Sequence, residues 1–351
     1  MSKNILKKEE VKRKVYVVGH LNPDTDSICS AIAYANLKNH LPGASEKIYE
    51  PRRAGQINEE TQHVLKSFGL KPPKLLSNLR VQVKDVDLRK IEGVKTSVPI
   101  KRAWEIMKEE KMKTLPVTRD SKLEGLITVG DIATSYMDVH DSTVLSEART
   151  QYRNISNAVD GRVLQGNHHG YFQEGKVAIA ASGVAQMKAL IEKDDLVIMG
   201  NVEELELCAV DINVSCMVIC RAEKVEKEIL KKAAEKEIVV IATPHDVFTT
   251  ARLINQSIPV KYFMTKDHLV SFHMDEYVDD VREIMTKKKF RDFPILDAVG
   301  NFEGFISRRR LLKARKKQVI LVDHNEKAQA VDGIDEAEVL EIIDHHRLKI
   351  G

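Results

Sequence analysis

The side chains of this 351-residue chain that could do chemistry fall in three clusters: His20 with Asp24 and Asp26, then Asp323, then Asp344 with His345 and His346. Imidazole mixed with carboxylate, and no thiolate, suits a hard or borderline octahedral ion such as Mn, Co or Mg. The set holds more donors than one ion needs, so two adjacent ions are expected. Two ions about 3.5–4 Å apart can share a carboxylate, acidify a water and neutralise phosphate oxygens. That is a phosphoryl-transfer arrangement, in which positioning and charge stabilisation supply most of the catalysis. Asp24 and Asp26 are two residues apart, so in an extended loop both can face the same ions. Alone, each cluster is weak, because Asn-Pro-Asp-Thr-Asp is also ordinary helix-start chemistry. Their joint occurrence after predicted strands carries the reading.

The elements that must position these groups are legible. Lys14 to Gly19 is a short apolar run of the kind buried in a parallel sheet. A turn-rich loop, His20 to Ser27, follows, with Ser27 as the expected N-cap of a helix from Ile28 to Leu41. A strand near Lys47 to Glu50 and a helix from Asn58 to Phe68 continue the pattern, which Pro72 and Pro73 end. Far along the chain, Gln318 to Asn325 and Val339 to His346 read as buried strands ending in polar clusters. Carboxyl ends of parallel strands are where open α/β sheets place ligands. One sheet, interrupted by an insertion and rejoined in space, is the simplest topology.

The insertion contains an internal repeat. Trp104-Glu105-Ile106-Met107, Leu115-Pro116-Val117, Gly125-Leu126-Ile127-Thr128 and Asp131 in one copy match Arg282-Glu283-Ile284-Met285, Phe293-Pro294-Ile295, Gly304-Phe305-Ile306-Ser307 and Arg310 in the other. Between the copies, apolar strands (Leu196 to Met199, Glu237 to Ala242) alternate with helical stretches, predicting a further α/β domain.

Composition bounds the alternatives. A hydrophobic fraction of 43% with 30% charged residues fits several soluble domains. A net charge of +3 gives no general argument for nucleic acid or membrane. Met1 to Lys14 lacks the apolar core of a signal peptide, and no apolar run approaches a membrane span. Cys29, Cys208, Cys216 and Cys220 show neither zinc spacing nor a CxxC motif. Buried free thiols, a cytoplasmic location, and no nucleic-acid or membrane partner are expected.

With these residues in view, Gly19 to Ser27, Val322 to Glu326 and Asp344-His345-His346 resemble the signatures of family II, manganese-dependent inorganic pyrophosphatases in the DHH phosphoesterase superfamily. The repeats resemble paired CBS domains, the stretch between them resembles a DRTGG domain, and Arg53 to Thr61 is similar to the CBS-containing branch. The resemblance covers essentially the whole chain. It implies an α/β fold: a parallel-sheet DHH domain interrupted by a regulatory insertion of two CBS domains flanking a DRTGG-like α/β domain. The expected boundaries are 12–72 and 315–351 for the DHH halves, 73–138 and 258–314 for the CBS domains, and 139–257 for the DRTGG-like domain.

By position, the resemblance assigns His20 and Asp24 to one ion, Asp26 and His345 to the other, and Asp323 to both. His346 would contact the substrate phosphate and Asp344 would orient the neighbouring histidines. The ions would be Mn2+ or Co2+, with Mg2+ accompanying pyrophosphate. The implied reaction is attack of a metal-bridging hydroxide to give two orthophosphates. The CBS pair would bind AMP or ADP as inhibitors and ATP or a diadenosine polyphosphate as activators. Thr128 and Asp131 fit the nucleotide pattern. In the second repeat Ser307 fits, but Arg310 cannot accept a ribose hydrogen bond and would meet phosphate instead. A homodimer is the default assembly.

The sequence also departs from that family. It stops five residues after His346, before a further bridging aspartate and a substrate-closing domain. A truncated chain with weak or absent hydrolysis alone is therefore expected. Ala314-Arg315-Lys316-Lys317-Gln318 imitates the family's basic clamp but precedes the Asp323 strand, and is read as a solvated linker. His168-His169 reads as an exposed loop, Trp104 as a core residue, and Arg308 to Arg310 as too narrow a basic run for nucleic acid. Competing readings are a nucleotide-binding module without catalysis, and a DHH phosphodiesterase acting on short oligonucleotides.

Overall fold

The computed structural model describes residues 13–42, 46–137 and 141–346. The chain divides into two compact units. The first contains residues 1–89, 272–293 and 305–351, and the second 90–271 and 294–304.

The first unit is built on one five-stranded sheet. Its strands are β1 (Arg13–Val18), β2 (Lys47–Arg53), β3 (Lys74–Leu75), β4 (Gln318–Val322) and β5 (Glu338–Ile343), in the spatial order β5-β4-β1-β2-β3. Every pairing is parallel, with Val15 opposite Gln318 and Val18 opposite Leu321 across β1 and β4. Two sequence halves about three hundred residues apart thus make one sheet, as expected. The physical reason lies in β1 and β4: each is apolar on both faces and needs cover on both. Val15, Val17, Ile320 and Val322 pack with Ala31 and Ala35 of helix α1 (Thr25–His40). The alternate residues Val18, Val319 and Leu321 pack with Ala54, Leu79 and Val331 on the other face. Helix α2 (Glu59–Ser67) follows β2 and is capped by Asn58, whose Oδ1 accepts from the Thr61 N–H at 2.7 Å.

Several local expectations are corrected. Ser27 is not the N-cap of α1; Asp24 is, accepting the Ser27 N–H at 2.9 Å, so the helix begins one turn earlier. The Ser27 hydroxyl accepts the His20 N–H instead. A carboxylate is the stronger acceptor for a helix start and also favours its dipole. β5 is not buried: among the described residues it is an edge strand, and Val339, Ile342 and Ile343 are exposed. Pro72 and Pro73 do not end the sheet, since β3 follows them. Residues 314–318 are not a solvated linker throughout, because Lys317 pairs with Asp85 at 3.2 Å and Gln318 is buried at the start of β4.

In the second unit the central α/β part has a five-stranded sheet. Strands Val177–Ala180, Leu196–Gly200, Cys216–Cys220 and Val239–Thr243 are parallel neighbours in chain order, and Arg162–Gln165 pairs antiparallel with the last. Met199, Met217, Ile219 and Val240 form its core with Cys208, Ile229 and Ala233 of the flanking helices. Cys208, Cys216 and Cys220 are buried, while Cys29 is only half-buried. The first repeat contributes helix Ile100–Glu109 and the antiparallel hairpin Thr114–Arg119 with Lys122–Thr128. Trp104 on that helix is 41% exposed, not a core residue; Ile100, Ala103 and Met107 face inward. His168 and His169 are exposed, as read.

Glu206 carries a prediction. It is buried on helix Glu203–Ile212, one carboxylate oxygen has no partner, and its pKa is raised by burial, then by Glu203 and Glu226. A raised carboxyl binds its proton more tightly in the folded chain. The penalty is absent below the ordinary carboxylate range and grows as pH rises through the folded value. Glu206→Gln is therefore expected to stabilise near neutral pH by on the order of 1 kcal/mol. The gain should vanish in thermal melts at about pH 4.

Candidate metal centre

All seven clustered residues of the sequence analysis lie in the first unit, at the carboxyl edge of its sheet. His20, Asp24 and Asp26 occupy the β1–α1 connection and the first turn of α1. Asp323 follows β4 directly, and Asp344, His345 and His346 follow β5. The parallel pairing of β1, β4 and β5 brings the three strand ends side by side.

Asp323 is the centre of the arrangement. Its Oδ2 lies 3.3 Å from His20 Nε2, and its Oδ1 lies 3.3 Å from His345 Nε2. One carboxylate thus presents its two oxygens to imidazoles arriving from different strands. Its backbone is left-handed (φ 60°), a conformation that Asp tolerates, and its N–H is held by Ile343 C=O at 2.8 Å. His20 Nε2 is also 3.8 Å from Asp24 Oδ1, and His345 Nε2 is 3.4 Å from Asp26 Oδ2.

The electrostatics fit a cation. Asp323 is nearly buried; burial, then the charges of Asp26 and Asp24, raise its pKa against the opposing pull of His20 and His345. Three carboxylates crowded at one strand edge, one of them desolvated, are stable together only with positive charge among them. Among the described residues, two groups have donor atoms mutually close enough for one ion: His20, Asp24 and Asp323, and Asp323, His345 and His346. Asp26 approaches the second group through His345. His346 Nδ1 is only 3.9 Å from Asp323 but 2.7 Å from Asp344, so that nitrogen is engaged by Asp344. Burial pushes the Asp344 carboxyl up, but hydrogen bonds from the His346 ring and N–H and from Asn325 hold it below its ordinary range. The Asp344 hydrogen bond in turn raises the His346 pKa.

Sequence left two further groups without a role. His324, inside the Asp-His-Asn stretch, is buried, with Nδ1 2.9 Å from Val322 C=O and its ring edge-on to His20 at 6.5 Å. Burial lowers its pKa, so it adds no positive charge beside the centre, and its Nε2 has no partner. The other group is Arg53 to Thr61, which the sequence flagged without a role. Gly55 packs beneath the 21–23 loop, and the Thr61 hydroxyl meets that of Thr25 at 3.0 Å. A Cβ on Gly19 would likewise strike Ser27 Oγ.

The nucleotide candidates divide between the units. In the second unit Thr128 and Asp131 pair reciprocally: Asp131 Oδ2 accepts the Thr128 N–H at 2.7 Å and its hydroxyl at 2.8 Å, and Asp131 N–H donates back at 3.2 Å. In the first unit Ser307 precedes a short helical turn and Arg310 pairs with Asp87 at 2.6 Å.

Comparisons with known proteins identify relatives of this chain. A DRTGG domain model matches residues 154–257, and a CBS domain model matches 83–138 and 260–317. The cobalt-dependent inorganic pyrophosphatase of Clostridium perfringens is 38% identical over 339 residues, 96% of this chain and 61% of that protein. The probable manganese-dependent inorganic pyrophosphatase of Thermotoga maritima is 34% identical over 335 residues, 95% of this chain and again 61% of the relative. The chain therefore spans about three-fifths of the length of these curated relatives. Among solved structures, the CBS and DRTGG domains of the regulatory region of Clostridium perfringens pyrophosphatase, complexed with the activator diadenosine tetraphosphate, match with TM-score 0.63 and 33% identity. That match covers 65% of this chain and all of the other. By sequence along nearly its whole length, and by structure through the insertion, this chain belongs to the CBS- and DRTGG-domain-containing inorganic pyrophosphatase family.

Proposed function

We propose that this chain holds two Mn2+ or Co2+ ions for hydrolysis of inorganic pyrophosphate, under control of adenine nucleotides at its CBS repeats. One observation carries the reading: the buried Asp323 directs its two oxygens at His20 and at His345, as a carboxylate shared by two ions would. His20 and Asp24 would complete one ligand set, and His345 and Asp26 the other. When bound, such ions supply a nucleophile at neutral pH and neutralise phosphate oxygens.

The chain's own residues supply the rest. Asp344 fixes the Nδ1 side of His346, which leaves Nε2 to face substrate, and keeps the ring protonated to a higher pH. A protonated His346 can bind a phosphate oxygen and hand its proton to the leaving phosphate. His324 stays neutral and braces His20. Mg2+ accompanies pyrophosphate as part of the substrate.

The test is a Mn2+ titration of the purified chain followed by binding of imidodiphosphate, a non-hydrolysable pyrophosphate analogue. Uptake of two ions, with analogue binding only to the loaded chain, is expected. Fewer than two ions, or preference for a short oligonucleotide over the analogue, would overturn the reading.

Regulation has its own prediction. Asp131 carries the ribose-binding carboxylate of the first repeat, while Arg310 and Ser307 suit phosphate. Asp131→Asn keeps a side-chain oxygen for Thr128 but loses the charge. Calorimetry should show diadenosine tetraphosphate affinity falling about tenfold, the loss of one charge-assisted hydrogen bond. The thermal midpoint of the unliganded chain should barely move. The free cysteines fit a reducing cytoplasm, and a homodimer, testable by light scattering, fits the symmetry of most assemblies. Among the described residues no helix is long and apolar enough to cross a membrane.

A further inference from the structure

We propose that Glu341, clamped by Tyr34 and Lys38, is a positioning residue that sets the distance between Asp26 and His345, and so the affinity of the second ion. The inference rests on the two-ion reading above.

Residues 26, 30, 34 and 38 follow one another at four-residue spacing along α1 and therefore share one face of it. Asp26 begins this row, and its Oδ1 accepts the Ser30 hydroxyl at 2.9 Å while Oδ2 faces His345. At the far end, the Tyr34 hydroxyl donates to Glu341 Oε2 at 2.5 Å and Lys38 Nζ donates to Oε1 at 2.5 Å. Strand β5 supplies the opposing row. Glu341, Ile343 and His345 alternate along it and its continuation, and Ile343 lines the same hollow as Tyr34, Leu37 and His345.

The two rows match in length. Four residues of strand from Glu341 to His345 span about 13 Å. Ten residues of helix, from Asp26 to midway between Tyr34 and Lys38, span about 15 Å. Fixing Glu341 at one end therefore places His345 against Asp26 at the other.

β5 needs such a clamp. Among the described residues it pairs only with β4, four of its six residues are exposed, and the pairing slips by one residue between Val319 and Ile320. That slip sets Glu341 opposite Ile320, whose side chain faces α1. Without it, strict alternation from Val339 would leave Glu341 one position out of register with Ile320. Bulges re-aim side chains in this way beside active sites. Lys38 and Glu341 are half-buried, so the pair is shielded more than a surface ion pair.

The test uses the whole chain and Mn2+, following unbound Mn2+ by EPR. His20→Ala and His345→Ala chains assign the two ions. Glu341→Gln and the milder Tyr34→Phe are expected to weaken the His345–Asp26 ion, about tenfold for Glu341→Gln. The His20–Asp24 ion should change less than about twofold. The charge-swapped chain Lys38→Glu/Glu341→Lys should recover much of the loss. If wild type binds fewer than two ions, the two-ion reading itself fails. If wild type binds two but both variants leave the affinities unchanged, weaken the two ions equally, or show no recovery on the swap, the positioning role is overturned.

Discussion

Asp323→Asn is expected to abolish tight binding at both ion positions. Removing an outer partner of a metal ligand commonly costs 10–100-fold in affinity, so if Asp323 is shared as proposed, its loss should cost at least about 100-fold for each ion. His345→Ala, by contrast, should affect one ion and spare the other. The substitution is geometrically mild, because Asn tolerates the left-handed backbone at this position as Asp does. It also removes a desolvated charge crowded by Asp26 and Asp24. The sign follows from the raised carboxyl pKa. In the metal-free chain this group contributes stability at acid pH that is lost as pH rises through its folded value. Metal-free Asp323→Asn should therefore melt no lower than wild type at neutral pH, and the difference should shrink toward acid pH. Mn2+ calorimetry with metal-free melts checks both halves. Undiminished binding of either ion would show that Asp323 is not shared.

Gly55→Ala should have the next largest effect, although Gly55 is no ligand. A Cβ there would sit 1.9 Å from the carbonyl oxygen of Leu21 and 2.8 Å from Pro23 Cδ. The obstructing atoms belong to the backbone and a proline ring, which cannot rotate away. That loop runs from His20 to Asp24, and Leu21 N–H is also tied to Gln329 C=O at 2.9 Å. The loop must move as a body or β2 must shift, a strain of about 1–3 kcal/mol or more. The expected result is a lower thermal midpoint together with more than tenfold weaker binding of the His20–Asp24 ion, about what a 1.4 kcal/mol misplacement produces. Normal Mn2+ affinity in a destabilised Gly55→Ala chain would separate fold from site and refute this account of the loop.

The Arg53 to Thr61 stretch shows what sequence leaves out. Its wording marks the branch of the family, yet nothing in those residues says that Gly55 makes room for Leu21 or that Thr61 touches Thr25. Both depend on β1 and β2 lying parallel with the loop above them. Trp104 shows the reverse error. An aromatic beside Met107 in a helical pattern reads as core, but Ile100, Ala103 and Met107 already fill the inward stripe and leave Trp104 outside. Periodicity gives the existence of a stripe more securely than its edges.

The sequence by itself determined the donor types, their placement after strand-like runs and the order of repeats, because these follow from side-chain chemistry and hydrophobic periodicity, which are local. It could not decide which oxygen of Asp323 meets which imidazole, or that Glu341 reaches Tyr34 and Lys38. Those belong to the tertiary structure, since strand register, a one-residue slip and the crossing of a helix over an edge strand are set by contacts between segments some three hundred residues apart.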